Sequence, residues 1–572
     1  MGRSRIFTEV ARIARIAGFA NRHGLDARTA AADFAAEQET RRLSRRALLG
    51  GAGVAAAAGL GISALSSHRA LGATRNRTKV AIIGGGLAGL ACADTLAKWG
   101  IAATIFEAHP TRVGGRCFSN RDTFPGQVAE NGGELIDTPH KTMIGYAREL
   151  GLPLEDLEKA PGASTFYFSL GGPNYQHYSE AEVVDQYRAL VNRMRPDLQA
   201  LSGAPTFYAH NAADVILDNM TLKAYLDWRA DGLPLINAVL DEAYVAEYGL
   251  ECAQQSPLNM LLFIHLDRSS KFREFGVFSD ERYHVIGGND AIAHGLADRI
   301  PGTIYYGATL SALTRSASGK YQLYFNGSTS PDATDWDAVV CAIPFSVLRG
   351  VRLDPSLGLS ADKLRAINEL GYGANAKTMI GFDHRVWAEQ GRDGLAYSNI
   401  PNVQNTWETN YSVGAPNGIL TDYSGGDRGA ELQRNAAGNF GCGGCHAVDG
   451  PPALNDGGNT RIQGQAEAFL LDLDKVWPGA LAAAAGQPGS RLVQRGHWLS
   501  QRYSRGSYTC YKPGQFTGIA GLEAEPAGGL KFAGEHADSF YAWQGFMEGA
   551  CNSGIAAADS ILDDIKARRL PS

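Results

Sequence analysis

Residues 79–116 read KVAIIGGGLAGLACADTLAKWGIAATIFEAHPTRVGGR. An apolar run, Val80 to Ile83, leads into Gly84, Gly86 and Gly89 with the spacing Gly-x-Gly-x-x-Gly. Leu87 to Trp99 is helical in character, and a second apolar run, Ala103 to Phe106, ends on the acid Glu107. Strand, glycine turn, helix, strand and acid follow in the order of a dinucleotide-binding βαβ unit. Gly84 allows the tight turn, Gly86 lets the backbone approach a pyrophosphate, and Gly89 lets the helix pack on its strand. Leu87 and Ala88 open the helix, whose N-terminus faces the phosphates. Glu107, about 20 residues on, suits a ribose 2′-OH.

Arg112-Val113-Gly114-Gly115-Arg116 follows shortly after Glu107. Arg-x-Gly-Gly-Arg at this place resembles the FAD-binding signature of the flavin amine oxidase superfamily. The resemblance implies that Gly115 lets the chain pass the flavin and that Arg116 pairs with the pyrophosphate. Near the C-terminus, Lys531-Phe532-Ala533-Gly534-Glu535-His536 and then Trp543-Gln544-Gly545-Phe546-Met547-Glu548-Gly549-Ala550 closely resemble the terminal FAD motif of flavin monoamine oxidases. By that resemblance Gly534 and Glu535 meet the ribityl or pyrophosphate region. A helix beginning at Met547 turns its unpaired N–H groups toward the negative charge that reduced flavin carries at N1 and the C2 carbonyl. Gly133, Glu134 and Leu310 join the cofactor residues on the same ground.

The family also implies catalytic positions. Lys377, closing Gly371-Tyr372-Gly373-Ala374-Asn375-Ala376-Lys377, aligns with a lysine that in relatives holds a water beside flavin N5. Tyr508 aligns with one aromatic of a substrate cage, and Phe546 or Trp543 supplies the other. Ser507 stands where covalent-flavin relatives carry cysteine, and Cys510 is three residues out of register, so non-covalent FAD is expected. L-Amino-acid oxidases place an arginine after the Gly-Gly turn to grip a carboxylate; this chain has Leu135, with Arg282 or Arg502 as substitutes.

The chain has 572 residues, too many for one ordinary core. Ser44-Arg45-Arg46-Ala47-Leu48-Leu49 precedes a mild Ala/Gly-rich apolar stretch to Leu65, and Ala70 to Ala73 offers small residues for cleavage. That pattern reads as a twin-arginine export signal and predicts a periplasmic or secreted protein. A membrane anchor is the rival reading, weakened by the Ala/Gly content. Residues 1–73 are therefore expected to lie outside the fold. Removing them takes away 11 basic and five acidic side chains and leaves a formal charge near −12, which argues against nucleic acid as a partner. Eight cysteines do not suggest a disulfide scaffold, and Cys92 and Cys117 read as small core residues. No metal set is read except Cys442-Gly443-Gly444-Cys445-His446, which spells a haem-attachment pattern in a Gly/Asn-rich stretch. Its blander reading is a disulfide or a solvated loop.

The expected fold class is α/β: a Rossmann-type FAD-binding domain (79–140, 281–350 and 501–565) interleaved with a mixed α+β substrate domain (141–280 and 351–500). Residues 141–275 read as mainly helical. The expected reaction is oxidation of a primary or secondary amine to an imine, by hydride transfer to flavin N5 and reoxidation by O2. An L-amino-acid oxidase of the same fold is one alternative. A periplasmic amine dehydrogenase passing electrons to a cytochrome is the other. The oligomeric state, a homodimer included, is left open.

Overall fold

A computed structural model describes residues 5–34, 78–157, 162–264, 281–409, 416–432 and 460–570. The export-signal sequence and the Cys442, Cys445, His446 motif lie outside the described residues.

Five parallel strands form the first sheet, in the order Leu530–Phe532, Ala338–Cys341, Val80–Ile83, Thr104–Phe106, Ile304–Tyr305. The strand Val80–Ile83 is buried on both faces, because successive residues point to opposite sides. Val80 and Ile82 pack beneath the helices Leu87–Lys98 and Met547–Lys566 with Leu90, Leu96 and Ile561. Ala81 and Ile83 pack the other way, with Phe106, Val339 and Phe325. The two helices touch backbone to backbone. A Cβ on Gly554 would lie 2.1 Å from the Ala88 carbonyl oxygen, so this crossing requires glycine. Cys92 and Cys117 are buried here. A four-stranded sheet, Ala333–Trp336, Tyr321–Phe325, Leu310–Arg315 and Arg352–Leu353, lies alongside.

A seven-stranded sheet forms a second body, in the order Val493–His497, Ala376–Phe382, Gly418–Ser424, Val403–Glu408, Arg392–Ile400, Ala163–Phe168, Gln176–Tyr178. Its central strands are buried on both faces, packed on one side by the helix Pro234–Tyr248 and on the other by Thr460–Val476. The described residues of 141–275 are mainly helical, as expected, from Lys141–Glu149 through Leu258–Ile264; the exceptions are the short strands Leu154–Asp156, Ala163–Phe168 and Gln176–Tyr178. The strand Leu154–Asp156 pairs antiparallel with Tyr283–Val285 in a separate two-stranded sheet against the core of the first body.

The N-terminus corrects a larger expectation. Residues 5–34 do not lie outside the fold. The helix Arg5–His23 runs along the helix Glu180–Ala200, with Ile13, Ala14, Ile16, Ala17 and Ala20 buried in the main core. Arg12 pairs with Glu180, and the Asn21 amide donates to the Arg188 carbonyl at 2.9 Å. Ile13, Ile16, Ala17 and Ala20 recur at i, i+3, i+4 and i+7, the stripe of a packed helix. No described helix is long and apolar enough to cross a membrane.

Candidate functional site

A groove of about 560 Å3 opens at the carboxyl ends of the parallel strands, where α/β sheets place their ligands. Gly84, Gly86, Leu87, Ala88, Glu107, Gly115, Arg116, Leu310, Gly534, Glu535, Phe546 and Met547 all line it. The backbone makes its throat. Gly86 bridges to Gly114, and Gly115 sits at φ +59°, its Cβ position 3.4 Å from the Gly86 Cα. The helices starting at Leu87 and Met547 have N-caps, Gly86 and Phe546, that provide no side-chain hydrogen bond. Their first-turn N–H groups are therefore open to an anionic ligand. Gly89 sits below the groove, where a Cβ would come within 2.0 Å of the Gly84 carbonyl oxygen.

Charged groups are arranged along its length. Glu107 accepts the N–H groups of Gly85 and His109, each at 2.6 Å. Burial raises its pKa, against the pull of those two hydrogen bonds. Arg116 donates through Nη1 to Glu535 Oε1 at 3.0 Å and to the Ser507 carbonyl at 2.6 Å. The other Glu535 oxygen accepts from Thr509 Oγ1 at 3.0 Å and Gly545 N at 3.1 Å. Glu535 is thus engaged by protein donors and clamps Arg116 while also lining the groove. Burial pushes its carboxyl upward, yet the Arg116 charge and His536 outweigh that and hold it below the ordinary range.

Lys377, Gly133 and Glu134 are not among the groove-lining residues; they form a neighbouring buried cluster. Lys377 Nζ donates to Glu134 Oε2 at 2.5 Å, to the Gly132 carbonyl at 2.9 Å and to the Glu130 carbonyl at 3.1 Å. The Asn289 amide holds the Gly133 and Glu134 carbonyls at 3.0 and 2.7 Å, fixing the turn. Trp407 donates Nε1–H to Glu134 Oε1 at 3.0 Å. The Trp407 ring lies 5.2 Å from that of Tyr423, whose hydroxyl is 3.1 Å from the Tyr508 hydroxyl. Tyr508 also donates to the Glu247 carbonyl and is fully buried. Phe546 and Trp543 meet edge-on at 5.4 Å, and His140 presents its ring to both. Phe546 and Tyr508 therefore belong to separate contact sets, one at the groove and one under the helix Pro234–Tyr248. Trp543 packs on Phe546 and His140 without lining the groove.

Trp407, Tyr423 and His140 carried no motif signal. Trp407 and Tyr423 sit in continuous buried strand runs, which look alike in sequence whatever they face. Leu135 is buried behind Glu134, and Arg282 is bound in both arms by Asp156 at 2.9 and 2.7 Å. Arg502 lines the rim of the groove.

A parallel-sheet nucleotide fold beside a large, mostly antiparallel sheet, with this groove between glycine turn and terminal helix, fits an α/β flavoprotein. The chain belongs to the family of flavin containing amine oxidoreductases, whose model matches residues 87–437 and 463–562. It is a flavin-dependent amine oxidase, and its cofactor is FAD. Ser507, where a covalent link would need a cysteine thiol by the family resemblance, donates to Asn375 Oδ1 at 2.5 Å. The chain is similar to the flavin-dependent L-tryptophan oxidase RebO of Lentzea aerocolonigenes, at 27% identity over 514 residues, covering 85% of this chain and 98% of that one. Among solved structures it resembles cyclohexylamine oxidase from Brevibacterium oxydans IH-35A, with TM-score 0.67 and 19% identity, over 86% of this chain and 99% of the other. Putrescine oxidase bound to putrescine is similar at TM-score 0.66 and 20% identity, over 85% and 99% of the two chains.

Proposed function

We propose that the substrate is an amine without an α-carboxylate. The observation that carries this reading is Leu135, buried at the turn where a carboxylate-gripping arginine is expected, with Arg282 already committed to Asp156. An L-amino-acid oxidase is the second reading, favoured by the similarity to RebO.

Within this reading the protein works by placement. A substrate ammonium with pKa near ~10 must lose its proton before a C–H bond can give up hydride. The buried rings of Tyr508, Tyr423 and Trp407 favour the neutral amine by excluding water. Bound FAD supplies the hydride acceptor at N5. Lys377, held by Glu134 and two carbonyls, is the residue that would stand beside N5, and the first turn at Met547 would stabilise negative charge on the flavin's pyrimidine edge. The imine leaves and hydrolyses, and O2 takes the electrons.

Export by the twin-arginine route belongs to the same proposal, with a periplasmic electron acceptor as the alternative to O2 and the homodimer left open. Arg45-Arg46 and the mild apolar stretch after them support export. The test is anaerobic bleaching of the FAD-loaded protein. Bleaching with amines and not with the matching amino acids bears the reading out; bleaching with amino acids alone replaces it by the second.

A further inference from the structure

Lys377 and Glu134 are both buried, with side chains 8% and 4% exposed. The lysine ammonium spends its three donors on the Glu134 carboxylate, the Gly132 carbonyl and the Glu130 carbonyl. Glu134 in turn is fixed by the Trp407 indole, whose ring lies 5.5 Å from the ammonium. Lys377 thus carries its own counter-ion, supplied by the very next residue after the Gly132-Gly133 turn.

Reoxidation passes two electrons and two protons from the reduced cofactor to O2, which leaves as hydrogen peroxide. The first electron turns a neutral molecule into an anion. A net positive charge within a few ångströms, in a buried setting, lowers the barrier to that step. An ion pair offers only a dipole, whose field falls off faster than that of a lone charge.

We infer that Glu134 is a brake on O2: by cancelling the Lys377 charge it sets the rate of the oxidative half-reaction. Glu134 is in this sense a positioning residue acting through Lys377. The inference rests on the proposed place of Lys377 beside the flavin. Slow reaction with O2 also leaves the reduced enzyme time to meet another electron acceptor.

The experiment uses the full chain loaded with FAD, reduced anaerobically with dithionite and mixed with oxygenated buffer in a stopped-flow instrument. Glu134→Gln retains an oxygen acceptor for Trp407 and removes the charge; its reoxidation rate is expected to rise about tenfold or more. Glu134→Asp keeps the charge and is expected to stay near the parent. Lys377→Met is expected to slow reoxidation, and the double variant Glu134→Gln/Lys377→Met to match Lys377→Met. Melting temperature and the bound-flavin spectrum separate these effects from misfolding. Reoxidation of Glu134→Gln at the parent rate or slower, with Lys377→Met still slow, overturns the brake and leaves the lysine's placement standing. An unchanged flavin spectrum and rate in Lys377→Met overturns both.

Discussion

Arg116 and Glu535, 419 positions apart in the chain, meet at 3.0 Å on the floor of the cofactor groove. The pair joins the first nucleotide motif to the last. Arg116→Ala leaves the Glu535 carboxylate buried without its cation, a loss of about 3 kcal/mol or more. FAD is then expected to bind at least about 100-fold more weakly, measured by fluorescence titration of the apoprotein. The double change Arg116→Met/Glu535→Gln removes both charges and is expected to recover part of the affinity.

The two helices flanking the groove give a contrast between glycines. At Gly554 an added methyl strikes the Ala88 backbone, so Gly554→Ala is expected to cost about 1–3 kcal/mol despite alanine's better helix propensity. Gly464, inside the helix Thr460–Val476, has nothing within 4 Å of its Cβ position. Gly464→Ala is expected to stabilise by up to ~1 kcal/mol. Thermal unfolding of the FAD-loaded variants reads both signs.

Burial pushes the Glu130 carboxyl up to about 7, although the Asn289 N–H at 2.8 Å and the Ser119 hydroxyl pull it back. The folded chain therefore holds this proton more tightly than the unfolded one. Its contribution to stability is complete below the unfolded pKa of about 4.3 and is lost as pH rises through about 7. The whole effect is of order 3 kcal/mol. Glu130→Gln is expected to flatten the fall in melting temperature between about pH 5 and pH 8. A parent and variant with parallel pH profiles contradict this.

The N-terminal helix predicts its own sensitivity. Ile13 and Ile16 are 1% and 0% exposed against the helix Glu180–Ala200. Ile13→Asp places an unpaired charge there and is expected to cost about 3 kcal/mol. Deletion of residues 1–34 uncovers the apolar face carrying Val184, Leu190 and Val191, and is expected to lower the melting temperature and promote aggregation.

The parts of the fold legible in sequence are those where backbone geometry demands particular residues. Gly84, Gly89 and Gly554 cannot be replaced without a clash or a change of turn, so they leave a pattern. The terminal motif is legible for the same reason, its Gly534 at φ +139° and Gly545 at φ +86°. The strands of the second body leave no such mark. Gln176–Tyr178, like Leu154–Asp156 in its separate two-stranded sheet, is three residues long, too short for a period to show. Trp407 and Tyr423 meet Lys377 and Tyr508 through pairing between distant strands, a relationship that no local spacing encodes. The N-terminal stripe of Ile13, Ile16, Ala17 and Ala20 is present in the sequence, but it is interleaved with Arg12, Arg15 and Arg22 and no motif marks what it packs against.

That helix lies upstream of Arg45-Arg46, whereas the helices Glu180–Ala200 and Pro234–Tyr248 that it packs against lie downstream. Covalent continuity and folded continuity are therefore different things in this protein. A protease acting on the chain between Phe34 and Thr78 would divide one core into two polypeptides, the smaller held by the Ile13–Ala20 stripe, the Arg12–Glu180 pair and Asn21. Maturation would then change the number of chains in the enzyme, and a denaturing gel beside a native one would count them.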